Sequence, residues 1–132
     1  MADRRGLNGR SLARETNYNG APVFIYKATV TTSDSTVDLI GDTANFSFRV
    51  IYAWGVMTAG GGASDTAVLQ RIQDGTTAAI TDTADLSVFS DTDQFDFSQL
   101  DDANWDIQEG DTLQVTTASS PACEIFALCV RI

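Results

Sequence analysis

Residues 45–57, "NFSFRVIYAWGVM", are the stretch that decides the fold of this chain. Large apolar or aromatic side chains occupy every second position of it. These positions are Phe46, Phe48, Val50, Tyr52, Trp54 and Val56. A period of two is typical of a β-strand that turns one face to a core. The stretch therefore predicts one long strand whose core face carries all six side chains, Trp54 included.

Shorter runs of the same kind lie on both sides of this strand. The clearest are 22–32 "PVFIYKATVTT", 35–40 "STVDLI", 66–73 "TAVLQRIQ", 76–81 "TTAAIT", 111–117 "DTLQVTT" and 121–132 "PACEIFALCVRI". Asp74-Gly75 is a hairpin signal between two of them. Residues 81–86 and 98–105 could form short helical turns instead of strands. About eight strands with polar turns predict an all-β domain, a jelly roll or β-sandwich, over residues 21–132.

The composition excludes several classes of function. The chain has 132 residues, a formal net charge of −10 and no histidine. Serine-histidine and cysteine-histidine catalysis are therefore excluded, and we expect a protein that is not an enzyme. Such a negative charge argues against nucleic acid as a partner, because phosphate binding needs a basic face. No run of about 18 apolar residues is present, so we expect no membrane span, and no apolar signal segment follows the first residues.

The first 20 residues differ from the rest in charge. They carry four arginines against Asp3 and Glu15, a net +2, whereas residues 21–132 carry a net −12. This asymmetry predicts an extended basic arm on an acidic body. The open alternative is a disordered tail. If the arm docks on a partner, the candidate contact residues are Arg4, Arg5, Leu7, Arg10, Leu12, Arg14 and Tyr18.

The last predicted strand is apolar on both faces. Phe126, Leu128 and Val130 alternate with Ile125, Ala127 and Cys129. A sandwich strand usually shows one face to water, so a second covering surface is expected, either another subunit or the arm. We predict a subunit interface that uses Ile125, Ala127, Cys129 and Arg131. Cys123 and Cys129 are too far apart in an extended strand to pair, and we expect two buried thiols.

An acidic stretch runs from Asp82 to Asp111, with ten Asp or Glu residues and no Lys or Arg. Three interpretations of such a stretch are considered: a calcium site, a catalytic pair of carboxylates, and solvated turns. No EF-hand spacing is present and no carboxylate pair stands out. The acids are therefore predicted to form turns and a solvated surface, with no metal or cofactor. Gly110 is expected at a positive φ, and the glycine-rich loop 59–66, which lacks a P-loop lysine, is expected to connect two strands.

A sugar-binding jelly roll is a second class to consider. Such modules hold sugars on exposed aromatic rings, and the two tryptophans are the candidates. Trp54 is in phase with the predicted core, so only Trp105, in an acidic turn, is expected to be partly exposed.

Several of these elements resemble one family when they are taken in order. The segment "AVLQRIQDGTTAAITD" is followed by an acidic stretch and by a turn-strand element "I-x-x-GDTL-x-V". The last element consists of Ile107, Gly110, Asp111, Thr112, Leu113 and Val115. The combination, over residues 46–132, resembles the capsid decoration (cement) proteins of tailed bacteriophages.

The resemblance implies a structural role on a virion. It implies a jelly-roll body, a homotrimer on the outer surface of the head, and the major capsid protein as partner. Such trimers sit at local three-fold positions and bridge capsomers, and an N-terminal arm would reach neighbouring subunits. Phage fibres and head fibres contain similar modules, so the alternative is a carbohydrate- or receptor-binding jelly roll of a fibre.

Overall fold

The structure is a computed structural model that describes residues 17–18, 21–98 and 100–132. These residues contain eleven β-strands and no helix. The strands are β1 (Asn17–Tyr18), β2 (Ala21–Val30), β3 (Thr36–Asp38), β4 (Phe48–Met57), β5 (Thr66–Gln73), β6 (Thr76–Ala79), β7 (Ala84–Asp85), β8 (Gln94–Asp96), β9 (Asp106–Ile107), β10 (Thr112–Ala118) and β11 (Cys123–Arg131). The alternative of a helical turn over residues 81–86 is not adopted, since β7 lies there.

The strands form two antiparallel sheets with jelly-roll order. The first sheet runs β1-β2-β11-β4-β8, and β9 also pairs with β4. The second runs β3-β10-β5-β6, and β7 also pairs with β5. If the short strands β1, β7 and β9 are set aside, the order is 2-11-4-8 against 3-10-5-6, which is a jelly roll of eight strands. The predicted all-β jelly-roll fold is confirmed.

The core fills the space between the two sheets. In β10 the side chains alternate, so that Leu113 and Val115 are fully buried, while Thr112 and Gln114 are half-buried on the other face. Strand β4 of the opposite sheet contributes Phe48 and Val50, which are also fully buried. Each such alternation brings one apolar face of a sheet against the other and leaves the second face outside. The fold therefore requires apolar side chains only on the two inner faces.

A β-bulge divides β4 into two halves of opposite phase. Cys129 of β11 lies opposite Val50 and Leu128 lies opposite Tyr52, so Ile51 has no partner in the register. One unpaired residue moves every later side chain to the other face. After the bulge the inward positions are therefore Ala53, Gly55 and Met57. The prediction that Trp54 belongs to the core is wrong, and Tyr52 and Val56 move to the outer face with it.

The small residues that now point inward leave room for a neighbouring strand. Gly55 lies opposite Phe95 of β8. A Cβ atom at Gly55 would lie 2.3 Å from the Phe95 ring. The Phe95 ring therefore takes the volume that a side chain at position 55 would need, and it stacks on Phe89 with centroids 5.5 Å apart.

The last strand is covered on its inner face by its own chain. Ile125, Ala127 and Cys129 are fully buried between the sheets. Their side chains are therefore not accessible to another subunit, which corrects the residues predicted for an interface on this strand. Arg131 is exposed, with its guanidinium 4.6 Å from the centre of the Phe46 ring. A subunit interface remains a prediction.

Both cysteines are free and buried, as predicted. Burial raises the pKa of Cys123 to about 11 and that of Cys129 to about 12. The folded protein therefore holds both groups as neutral thiols over the physiological pH range.

Candidate interaction surface

The outer face of the first sheet carries a continuous apolar surface. Six side chains form it, and we call it the aromatic face: Ile25, Tyr52, Trp54, Val56, Phe126 and Leu128. Ile25 is 54% exposed and Tyr52 39% exposed. The other four are half-buried. A cluster of this kind on the outside of a sheet is unusual, because an antiparallel sheet normally shows polar side chains to water.

The strand registers place these side chains side by side. Leu128 of β11 lies between Ile25 of β2 and Tyr52 of β4. Directly opposite residues of antiparallel strands have Cβ atoms about 4.5–5.5 Å apart, so they are in contact across the face. In the next row, Phe126 lies opposite Trp54. The patch is therefore built by three adjacent strands.

Ring stacking orders the centre of the aromatic face. The Tyr52 and Trp54 rings are stacked with centroids 5.3 Å apart and an interplanar angle of 23°. Trp54 also stacks on Phe126, at 5.2 Å and 12°. Such offset stacks contribute about 0.5–1.5 kcal/mol beyond their buried area. The three rings therefore hold one another in place before any partner binds.

Charged groups rim the aromatic face. On one side Lys27 Nζ lies 3.4 Å from Glu124 Oε2. On the other side the Tyr52 hydroxyl donates a hydrogen bond to the Asp96 carboxylate. This hydrogen bond raises the pKa of Tyr52 above its ordinary value. An apolar centre with a polar rim has the composition of a protein–protein interface.

A second cluster surrounds Trp105, the residue that the sequence offered as a sugar platform. Arg49 donates from Nε to Asp106 Oδ1 at 2.6 Å and from Nη2 to Asp106 Oδ2 at 3.2 Å. Its guanidinium lies 5.2 Å from the centre of the Trp105 ring. Trp105 is half-buried and packs against the core. The ring is thus engaged by its own chain, and it offers less free surface to a ligand than the sequence suggested.

The acidic residues close turns. Four aspartates accept a hydrogen bond from the backbone N–H three residues earlier and return their own N–H to that residue's carbonyl. The pairs are Thr31 with Asp34, Gly62 with Asp65, Ser90 with Asp93, and Gln108 with Asp111. Gly110 has a φ of +95° in the last of these turns, as predicted. Among the described residues no group of three or more possible ligands that could hold a metal ion is found.

The arm lies mostly outside the described residues. Arg4, Arg5, Leu7, Arg10, Leu12 and Arg14 belong to that part, and only the backbone of Tyr18 is described, in β1. Their role in binding stays a prediction. Within the described residues no helix is long and apolar enough to cross a membrane.

The aromatic face was missed by the sequence reasoning, although two signals for it were present. After Ile51 the large residues Tyr52, Trp54 and Val56 alternate with the small Ala53 and Gly55. The last strand is apolar on both faces, which did indicate a second covered surface. The two signals point to one surface only after the bulge has placed Trp54 beside Phe126. The bulge arises from the pairing of β4 with β11, so neither strand's sequence indicates it alone.

Comparison with known proteins gave structural likenesses only. No family model and no curated protein matches the chain. The capsid of Ralstonia phage GP4 is similar in structure, with 12% identity, a TM-score of 0.49, and coverage of 87% of this chain and 84% of that chain. VP2 of infectious bursal disease virus, as the D431N mutant, has 15% identity and a TM-score of 0.41, and covers 86% of this chain and 32% of that chain.

A third neighbour is the VLP of the extra small virus of the giant freshwater prawn Macrobrachium rosenbergii. It has 15% identity and a TM-score of 0.36, and the match covers 86% of this chain and 80% of that chain. All three neighbours are viral particle proteins by description. Because these identities and TM-scores are low, the jelly-roll assignment rests on the strand order and not on the structural likenesses.

Proposed function

We propose that this chain is a structural protein of a viral capsid, and specifically a decoration protein. It binds the outer surface of a phage head as a homotrimer, contacts the major capsid protein and bridges capsomers. The aromatic face is the observation that carries this proposal, together with the sequence resemblance over residues 46–132. Such a role needs no catalytic group. A protein that binds the assembled lattice and not its free subunits stabilises the lattice by its binding free energy.

The composition of the aromatic face favours a protein partner. Aromatic side chains at the centre of a patch, held rigid and surrounded by polar groups, are the usual source of binding energy at protein interfaces. Trp54 occupies that centre, with Phe126 and Tyr52 on either side of it in the sheet. Because the three rings are already stacked, little conformational entropy is lost when a partner covers them.

The alternative, a carbohydrate-binding fibre module, is less well supported. A sugar stacks on an open ring face. The Trp54 ring is in stacked contact with two neighbouring rings, and the Trp105 ring lies under the Arg49 guanidinium. Less aromatic surface is therefore free for a sugar than two tryptophans would suggest.

Binding to capsid shells tests the proposal directly. The probe is the head of the encoding phage, assembled without this protein, and bound protein is measured by co-sedimentation. Trp54→Lys places a charge in the aromatic face, and we expect it to abolish binding. Val68→Lys is the matched control, because Val68 is half-buried on the outer face of the second sheet and its substitution should leave binding intact. Failure of the intact protein to bind shells would overturn the capsid role. Equal binding by both variants would show that another surface makes the contact.

The homotrimer is tested separately by light scattering. We expect a mass of about 42 kDa, three times the chain mass of 14.1 kDa. A trimer also presents three arms, so that arm contacts add avidity with no new type of contact. A single-chain mass in solution, together with single copies bound to shells, would remove the trimer from the proposal.

A further inference from the structure

One row of side chains across the first sheet runs from a basic residue to an acidic one. Phe126 of β11 lies opposite Lys27 of β2 and also opposite Trp54 of β4. Trp54 in turn lies opposite Asp96 of β8. Directly opposite residues of antiparallel strands share one face of the sheet. The two stacked rings at the centre of the aromatic face therefore have Lys27 at one end of their row and Asp96 at the other.

The two ends of this row differ in how their charge is balanced. On the β2 side Lys27, the only lysine of the chain, is paired with Glu124. On the β8 side the sequence from position 72 to position 130 contains no lysine or arginine at all. A partner that covers the aromatic face therefore meets a neutralised pair along β2 and negative charge along β8.

The Asp96 carboxylate is positioned by a neighbouring aromatic residue and is open to solvent. Tyr52 donates its hydroxyl hydrogen bond to Asp96 Oδ1, and Asp96 is exposed at the end of β8. Within residues 17–18, 21–98 and 100–132, no hydrogen bond to Asp96 Oδ2 and no ion pair of Asp96 is found. The Tyr52 ring stacks on Trp54 and is itself 39% exposed. A fixed carboxylate and an accessible ring thus stand together at the edge of the aromatic face.

We propose that Asp96 and the Tyr52 ring together bind an arginine side chain of the partner that covers the aromatic face. A guanidinium donates two parallel N–H bonds to a carboxylate and stacks on aromatic rings. Each carboxylate oxygen accepts two hydrogen bonds, so the Tyr52 hydroxyl leaves room for both of these donors. A lysine ammonium makes the ion pair but neither the fork nor the stack. The partner surface is therefore apolar opposite Trp54 and Phe126 and carries an arginine opposite β8.

This inference deepens the proposed function and rests on it for the identity of the partner, the major capsid protein. The arginine site itself rests on the geometry of Asp96 and Tyr52. Two other sources of a cation are Lys27 of a second copy and the arginines within residues 1–20 of this chain. The second copy is disfavoured, because Lys27 already pairs with Glu124 and two chains of net charge −10 repel each other.

Binding to phage heads assembled without this protein tests the site in its complex. Asp96→Asn keeps an acceptor for the Tyr52 hydroxyl but removes the charge. We expect binding at least about tenfold weaker, with a smaller dependence on salt. Asp74→Asn is the matched control, because it removes the same charge from the exposed β5–β6 turn of the second sheet and should leave binding unchanged. Equal binding by the two variants would overturn the arginine site and leave the capsid role in place.

A small probe, Nα-acetyl-arginine amide, tests the site on the full-length chain without a capsid. We expect millimolar probe to shift the NMR signals of the Asp96 backbone amide and the Trp54 indole N–H along a saturating curve. Nα-acetyl-lysine amide should shift them less, and Asp96→Asn should abolish the response to both. The Trp105 indole, whose ring already lies under Arg49, should not move. Equal shifts by the two probes, or no saturating shift, would overturn the proposal even if the protein binds heads.

An occupant from this chain is detected by two further measurements. Arg4→Gln, Arg5→Gln, Arg10→Gln and Arg14→Gln are combined in one full-length variant, and we expect it to bind the arginine probe as the parent does. Binding of the probe by this variant alone would show that the chain's own arginines fill the site. Asp96→Asn should leave the light-scattering mass of the free protein unchanged. A lower mass would assign the site to a second copy, and either result would overturn the proposal.

Discussion

The two sheets have similar inner faces and very different outer faces. On the outer face of the second sheet, Gln70 Nε2 donates to Gln114 Oε1 at 2.5 Å, and Gln114 Nε2 donates to Asp38 Oδ1 at 3.0 Å. On the outer face of the first sheet, the stacked rings of Trp54 and Phe126 stand where the second sheet has amides. Folding explains the inner faces of both sheets and the polar ladder of the second. It does not require the aromatic face, since a ladder of amides serves a solvent-facing sheet equally well. The difference supports our proposal that the outer face of the first sheet is an interaction surface.

The register of β4 explains how this one strand contributes both to the core and to the aromatic face. Before the bulge β4 presents Phe48 and Val50 to the core, and after it the core receives Ala53, Gly55 and Met57. The bulk that a regular strand would have buried at Tyr52 and Trp54 is thereby turned outward. Phe95 from β8 replaces it inside. A single unpaired residue thus exchanges core positions for positions on the outer face.

The largest effect is expected when neighbouring residues of β11 are truncated. Ile125→Ala removes a fully buried side chain and should lower the free energy of unfolding by about 2–5 kcal/mol. Phe126→Ala removes a side chain from the aromatic face and should cost about 1 kcal/mol, mainly the stack with Trp54. Urea denaturation of the two variants measures both values. Equal losses would mean that the aromatic face is part of the core.

Adding a methyl group to β4 is expected to have the next largest effect. Gly55→Ala places a Cβ where the Phe95 ring lies, and overpacking of this kind costs about 1–3 kcal/mol. Val56→Ala, one residue later on the outer face, should cost less. The melting temperatures of the two variants give the comparison. If Gly55→Ala is as stable as the parent, the Phe95 ring moves freely and the bulge does not fix the packing.

The sequence predicted those features that depend on neighbouring residues, and it missed those that depend on contacts between distant parts of the chain. The alternation of residues 111–117 and the turn at Gly110 are local, and both were predicted. The position of Trp54 was not, because it depends on the register between β4 and β11, which residues 45–57 do not contain. The inner position of Ile125 was not predicted either, since Ile125 was assigned to a subunit interface and a strand that is apolar on both faces gives no sign of which face meets the second sheet. The packing of Trp105 under Arg49 needs contacts across 56 residues of chain, and no local pattern indicates it.

The buried thiols predict a loss of stability at alkaline pH. Burial raises the pKa of Cys123 from 9.0 to about 11 and that of Cys129 from 9.0 to about 12. The folded state therefore keeps its thiol protons while the unfolded state releases them above about pH 9. Stability from these groups is complete below pH 9 and is lost as the pH rises toward 11–12. The inner face thus contributes a loss of stability at alkaline pH.

A variant with Cys123→Ala and Cys129→Ala isolates this contribution. Its free energy of unfolding should be lower than that of the parent at pH 7, because methyl-sized cavities remain, but should fall less steeply between pH 9 and pH 11. Urea titrations at several pH values measure the slopes. Parallel curves for the two proteins would assign the alkaline loss to other groups.

The smallest effect is expected at the rim of the aromatic face. Lys27→Met removes the ion pair with Glu124, whose atoms are 3.4 Å apart and whose side chains are both partly exposed. Exposed pairs of this kind contribute about 0–1 kcal/mol, and less at high salt. We therefore expect little change in unfolding but a clear change in the salt dependence of shell binding, since Lys27 borders the proposed contact. Lys27→Met should therefore change binding without changing stability, whereas Ile125→Ala should reduce both. If Lys27→Met lowered stability as much as Ile125→Ala, the rim would be part of the fold, and the division between an inner face that folds and an outer face that binds would fail.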